Sequence, residues 1–135
     1  MGLLGADRHG ELGNALLSRW PFGHIGHHDV SDHRFDQRGL LHVPVQWHGR
    51  TLHAVVAHLG LIHASRVRQV QRLAAFIAAE VPADAPLIVA GDFNDWGERL
   101  DAPMREIGLA RALDAGPRAL RRSTFPSRVP VFALD

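Results

Sequence analysis

The sequence predicts an α/β (α+β) domain, and three observations carry that prediction. Two apolar runs, Leu40 to Trp47 ("LLHVPVQW") and Thr51 to Ala57 ("TLHAVVA"), flank "HGR" and read as an antiparallel hairpin with Gly49 in the turn. Ser65 to Glu80 repeats apolar residues at helical spacing. Leu87 to Ala90 then reads as a buried strand. Strands mixed with helices, two of them antiparallel, indicate a sandwich of layers rather than a simple doubly wound sheet. With 135 residues, 46% of them apolar, the chain is the size of one soluble domain with a real core.

The remaining elements follow in chain order. Asn14 to Trp20 ("NALLSRW") is a short apolar run ended by Pro21, and is expected to be a strand. Gly23 to Asp36 ("GHIGHHDVSDHRFD") has no apolar period and is expected to be a loop. Pro44 lacks a backbone N–H, which demotes the first hairpin strand to an edge position or a bulge. In the helix, Val67, Val70, Leu73, Ala74 and Ile77 form the buried stripe, and Arg66, Arg68, Gln69 and Arg72 fall outside it. Ser65 is the expected N-cap, and Pro82 ends the helix. Ala102 to Gly108 reads as a short helix and Val129 to Leu134 as a last strand. No internal repeat, low-complexity tract or linker divides the chain.

Composition excludes several kinds of function. Without cysteine there are no disulfides, thiolate metal sites or thiol redox chemistry. No apolar run reaches the ~18 residues of a membrane span, and Met1 to Phe22 lacks the order of a signal peptide; the cytoplasm is the expected compartment, with export by an upstream segment left open. All fifteen basic residues are arginine, against fourteen acids, a net charge of +1. Arginine grips phosphate bidentately, but this balance alone does not argue for nucleic acid.

The chemistry concentrates in "LIVAGDFNDW", Leu87 to Trp96. Gly91 lets the backbone leave the strand, and Asp92 and Asn94, two apart, can face one cleft while Phe93 turns back to the core. An Asx-type turn capping the next helix explains the same residues, and the tetrad alone does not choose. His58 in "VVAHLGL" stands at the end of another apolar strand. If the two strands are neighbours, histidine and carboxylate meet, which favours a site.

Taken in order, "GNALLSRWP", "RGLL", "AHLGL" followed by "RVRQVQRLAAF", "LIVAGDFNDW" and "STFPSRVPVFALD" resemble the endonuclease/exonuclease/phosphatase superfamily, and more narrowly its small bacterial members. The resemblance covers nearly the whole chain. It implies a DNase I-like four-layer sandwich, two packed sheets flanked by helices, and hydrolysis of phosphate esters with Mg²⁺ or Mn²⁺. Matched by motif, Asp92 activates or orients the attacking water near the metal, and Asn94 holds the phosphate. Asp92 and Asn94 are thus the implied metal-site residues. His58 contacts the phosphate and assists the leaving group, and Asp135 orients a catalytic histidine further on. Asn14 borders the active-site end of its strand, and Arg38 in "QRGLL" lies near the phosphate. Arg19 is expected at the surface or in an ion pair, and Thr124 and Phe125 at the rim of the site. The implied partner is a phosphate-ester substrate, a nucleic acid or a phospholipid headgroup, with no obligate protein partner.

The sequence also departs from the family. Its metal-binding glutamate, on a strand well before the "GN…LSR" segment, has no match here, because only thirteen residues precede Asn14 and Glu11 lies in a polar stretch with no strand before it. The closing "SDH" motif is missing after Asp135, and the copy at Ser31, Asp32 and His33 is out of place. Residues 1–135 are therefore expected to be part of a domain, with exposed sheet edges, poor solubility in isolation and its own activity in doubt. Two rival functions follow. One is a catalytically dead module that binds nucleic acid or phospholipid through its phosphate pocket. The other is a zinc or nickel site built from His24, His27, His28 and His33 with Asp29 and Asp32.

Overall fold

The computed structural model describes residues 2–4 and 13–112. The hairpin lies at its centre. Strand β4 (Gly39–Trp47) and strand β5 (Arg50–His58) pair from Leu40↔Ala57 to Trp47↔Arg50. His48 and Gly49 turn the chain with φ of 46° and 77°. Two left-handed residues make the type I′ turn whose twist matches the flanking strands.

β4 is an interior strand, which corrects the edge position expected from Pro44. Four strands pair in the order β3-β4-β5-β6. Pro44 is tolerated because its carbonyl accepts the Gly23 N–H at 2.7 Å, so both its backbone groups face away from β5. The missing N–H removes no bond from the β4–β5 ladder. β3 (Gly26–Asp29) is itself a correction, since it lies within the stretch expected to be a loop and pairs antiparallel with Gly39–His42. Histidine replaces an apolar residue on its inward face, where the His28 ring packs on Phe76 at 4.3 Å. An apolar count misses such a strand.

β6 (Leu87–Asp92) runs parallel to β5, and helix α1 (His63–Glu80) makes the crossover that a parallel pair requires. α1 starts two residues before the expected N-cap. Ile62 occupies the cap without a side-chain bond, and the Ser65 hydroxyl instead donates to Asp32 Oδ2 at 2.5 Å. The helix ends as expected, with Val81 extended before Pro82. Its buried residues are Ser65, Arg66, Gln69, Val70, Leu73 and Phe76, so the face is rotated from the expected stripe. Helix α2 (Asp101–Glu106) ends earlier than predicted, before Gly108 at φ 82°.

A second, two-stranded sheet joins β1 (Gly2–Leu4) to β2 (Leu16–Ser18). β1 is a strand ahead of Glu11 that the sequence reading did not expect. The strand expected over Asn14 to Trp20 narrows to three residues, after which the Ser18 hydroxyl accepts the Trp20 N–H at 3.0 Å and bends the chain. The core lies on both faces of the larger sheet. On one, Leu40, Val55, Ala57 and Leu59 pack under α1 with Val70 and Leu73. On the other, Leu41, Val43 and Val45 meet Leu16, Trp20, Phe22 and Ile25. Among the described residues, helices, larger sheet and smaller sheet therefore make three of the four expected layers. Val129 to Leu134 lie outside the described residues.

Candidate active site

The last register pair of the parallel strands is His58↔Asp92. Direct pairing puts the two side chains on one face at the C-terminal ends of β5 and β6, where His58 Nε2 lies 3.9 Å from Asp92 Oδ2. Both side chains are open to solvent, 40% and 46% exposed. Gly91 permits this approach. It has φ 141°, and a Cβ there would sit 1.9 Å from the Ala57 carbonyl oxygen. Only glycine lets the strands close just before Asp92.

The Asx turn weighed from the sequence is present. Asp92 Oδ1 accepts the Asn94 N–H at 2.9 Å, which leaves Oδ2 to face His58. Asn94 adopts φ 49° and is buried, and its Nδ2 donates to the Leu59 carbonyl at 2.8 Å. The next helix is secured by Asp95, which sequence reasoning missed. Its Oδ1 accepts the Arg99 N–H at 3.1 Å and its Oδ2 the Leu100 N–H at 2.9 Å. The available signal was an acid a few residues ahead of a helix.

The loop leaving His58 is held peptide by peptide. Leu59 N–H donates to the Asp92 carbonyl at 2.9 Å, and Gly60 N–H to Gln69 Oε1 at 2.8 Å. Arg66 Nη1 donates to the carbonyls of Gly60 at 3.3 Å and Leu61 at 2.6 Å. These bonds explain why Arg66 and Gln69, placed outside the stripe by their polarity, are buried. Each satisfies backbone groups that would otherwise be orphaned under the helix.

Asn14 Nδ2 donates to the carbonyls of Gly39 at 2.7 Å and Val56 at 3.2 Å, which ties β4 to β5. Gly39 lies one step beyond the Leu40↔Ala57 pair and so opposite His58. Arg38, next to Gly39, pairs through Nε with Asp36 Oδ1 at 2.7 Å. Asn14, Arg38, His58, Asp92 and Asn94 thus gather at one end of the sheet. Arg19 is exposed, with its guanidinium over the Trp20 ring at 4.4 Å. Asp135, Thr124, Phe125 and Glu11 lie outside the described residues.

The histidine-rich segment does not converge. His28 is spent on Phe76, Asp29 Oδ1 accepts the Ser31 N–H at 2.7 Å, and Asp32 bonds Arg68 at 2.7 and 2.6 Å. The Arg68 guanidinium, then the Ser65 hydroxyl, hold the Asp32 carboxyl far below the usual carboxylate range. The out-of-place "SDH" thus fastens its loop to α1. Among the described residues, no three or more histidines, aspartates or glutamates are arranged to hold a metal ion.

The same test bears on Mg²⁺ or Mn²⁺. A hard cation takes about six oxygens. Asp92 presents one unspent carboxylate oxygen, and Asn94, whose amide nitrogen is bonded to Leu59, adds at most its side-chain oxygen, which makes two donors. The described residues therefore do not by themselves fit a divalent ion.

The sequence profile described as the Endonuclease/Exonuclease/phosphatase family matches residues 2–134. YbhP of Escherichia coli K12 is 36% identical over 129 residues, which cover 93% of this chain and 50% of YbhP. The chain thus spans about half the length of the curated relatives it matches. Among solved structures, sphingomyelinase C from Streptomyces griseocarneus is 27% identical with a TM-score of 0.57, over 71% of this chain and 38% of that one. D. rerio TDP2, complexed with a single strand DNA product, is 24% identical with a TM-score of 0.59, over 82% of this chain and 48% of that one.

Proposed function

Because the chain belongs to the endonuclease/exonuclease/phosphatase family and has its DNase I-like α/β fold, we propose that it hydrolyses phosphate esters at the His58–Asp92 pole of the larger sheet. One observation carries the reading: a carboxylate oxygen and an imidazole nitrogen 3.9 Å apart at the open ends of two parallel strands. That separation is long for a direct hydrogen bond but lets one water bond to both groups.

A phosphodiester is anionic and repels hydroxide, so its hydrolysis needs an oriented water, neutralisation of charge and a proton for the leaving oxygen. Asp92 accepts a hydrogen bond from the water at Oδ2 and directs it at phosphorus. His58 gives its Nε2 proton to a phosphoryl or leaving oxygen as the P–O bond breaks. The Arg38 guanidinium, whose terminal nitrogens make no bond among the described residues, reaches from the end of β4 to supply charge. Asn94 sets the turn that aims Asp92. Asn14 braces the strand end beside His58. Asp135, by the motif it matches, orients a further histidine. By the motif they match, Asp92 and Asn94 would hold a Mg²⁺ or Mn²⁺ ion only together with groups beyond the described residues, and such an ion would supply neutralisation of phosphate charge.

The test is hydrolysis of bis(p-nitrophenyl) phosphate, single-stranded DNA and sphingomyelin by the chain with Mg²⁺ or Mn²⁺, before and after EDTA. Cleavage of at least one substrate, lost with EDTA and in Asp92→Asn, is expected. Unchanged cleavage in both Asp92→Asn and His58→Ala would refute the assignment. Binding of DNA that weakens with salt, with no cleavage, would identify the binding module instead.

A further inference from the structure

We propose that Gln69 and Asp36 are positioning residues that set the place of the Arg38 guanidinium relative to the His58 loop, an inference that rests on the phosphate-ester reading above. Gln69 is fully buried on α1, at 0% exposure, where an apolar residue would pack. Its amide is divided between the loop after His58 and the segment that carries Asp36. Oε1 accepts the Gly60 N–H at 2.8 Å, two residues after His58, and Nε2 donates to Asp36 Oδ2 at 3.4 Å. Asp36 Oδ1 in turn accepts the Arg38 Nε–H at 2.7 Å. One side chain therefore touches the loop that carries His58 and the carboxylate that orients Arg38.

The loop and Asp36 are in direct contact. A Cβ on Gly60 would lie 2.4 Å from Asp36 Oδ2 and 3.3 Å from Gln69 Nε2, so a side chain there would have to displace the Asp36 carboxylate. Asp36 and Arg38 side chains are only 17% and 18% exposed, which limits the guanidinium to few positions. Because Arg38 spends Nε on Asp36, its two terminal NH₂ groups point away from that bond as a fork suited to phosphate. A guanidinium that reads phosphate bidentately loses its advantage when it is displaced by about 1 Å.

The experiment separates the loop from the arginine. Gln69→Glu keeps an acceptor for Gly60 N–H but turns a carboxylate toward Asp36, whereas Gln69→Leu removes both bonds. The Arg38 Nε–H resonance, identified by its disappearance in Arg38→Ala, reports the position of the guanidinium without any substrate. Its exchange with solvent should be about tenfold faster in both Gln69 variants. Where those variants unfold, Asp36→Asn carries the same expectation. Exchange within about twofold of wild type in a folded Gln69→Glu chain would overturn the proposal. In hydrolysis, Gln69→Glu should lower kcat/KM about tenfold in the wild-type background and hardly at all in Arg38→Ala, while the two changes in melting temperature add. Additive losses of kcat/KM also overturn it. A wild-type chain that cleaves nothing refutes the functional reading, and the exchange rate still decides the placement of Arg38.

Discussion

His42 Nε2 and His53 Nδ1 face each other at 2.9 Å on the α1 side of the sheet, both nearly buried. One ring donates and the other accepts, so the gap holds one proton. His28 on β3 and Phe76 and Glu80 on α1 complete the surroundings. Burial first, then the charges of His53 and His28, hold the His42 pKa below the ordinary histidine value against the opposing pull of Glu80. The unfolded chain therefore takes up the proton first as pH falls. This contribution to stability is complete above ~6.5 and is lost as pH drops below it. The urea midpoint should be lower at pH 5 than at pH 7.5, a window above the range of the lowered Asp29 and Asp32 carboxyls. His42→Phe should narrow that difference, and an undiminished difference would show that the pair does not cause it.

Gly91→Ala should be severe. The new Cβ would fall 1.9 Å from the Ala57 carbonyl at φ 141°, which forces β5 and β6 apart. A loss of more than ~2 kcal/mol is expected in urea unfolding. A loss below ~0.5 kcal/mol would be incompatible with this strand register.

His58→Ala and Asp92→Asn should divide activity from stability. Both side chains are about half open to solvent, so unfolding free energy should change by no more than ~0.5 kcal/mol. Phosphate-ester cleavage should fall by about 10²–10⁴-fold for each. Equal rates with unchanged stability would remove these residues from the chemistry.

Asp95→Ala should act through the fold. It deprives the Arg99 N–H and the buried Leu100 N–H of their acceptor, at a cost of about 1–3 kcal/mol. Thermal melting at neutral pH measures it. A variant that melts with wild type would mean that water replaces both bonds.

The parts of the fold that the sequence disclosed are those with a local signature. The hairpin announces itself through two apolar runs around a glycine, and α1 ends where Pro82 says it must. β3 stayed hidden because His28 packs on Phe76 in place of an apolar residue. The buried face of α1 was misplaced for a related reason. Arg66 and Gln69 are polar by composition and buried because they bond the carbonyl and amide groups of Gly60 and Leu61 in the loop before the helix. Pro44 misled in the opposite sense, since its missing N–H points to a side of β4 where no ladder bond was required.

The sequence by itself determined the mixed α/β class, the motif order that marks the family, and the presence of His58, Asp92 and Asn94 at ends of apolar runs. These are encoded within a few residues, by spacing and by backbone preference. Tertiary structure decided that β5 and β6 are parallel neighbours, that Asp92 keeps one oxygen for His58, and that Gln69 joins the His58 loop to Asp36. His58 and Asp92 stand 34 positions apart in the chain, and only the strand order brings them within 3.9 Å. Pairing of that range depends on which faces bury together, a property of the assembled sheet rather than of any stretch of sequence.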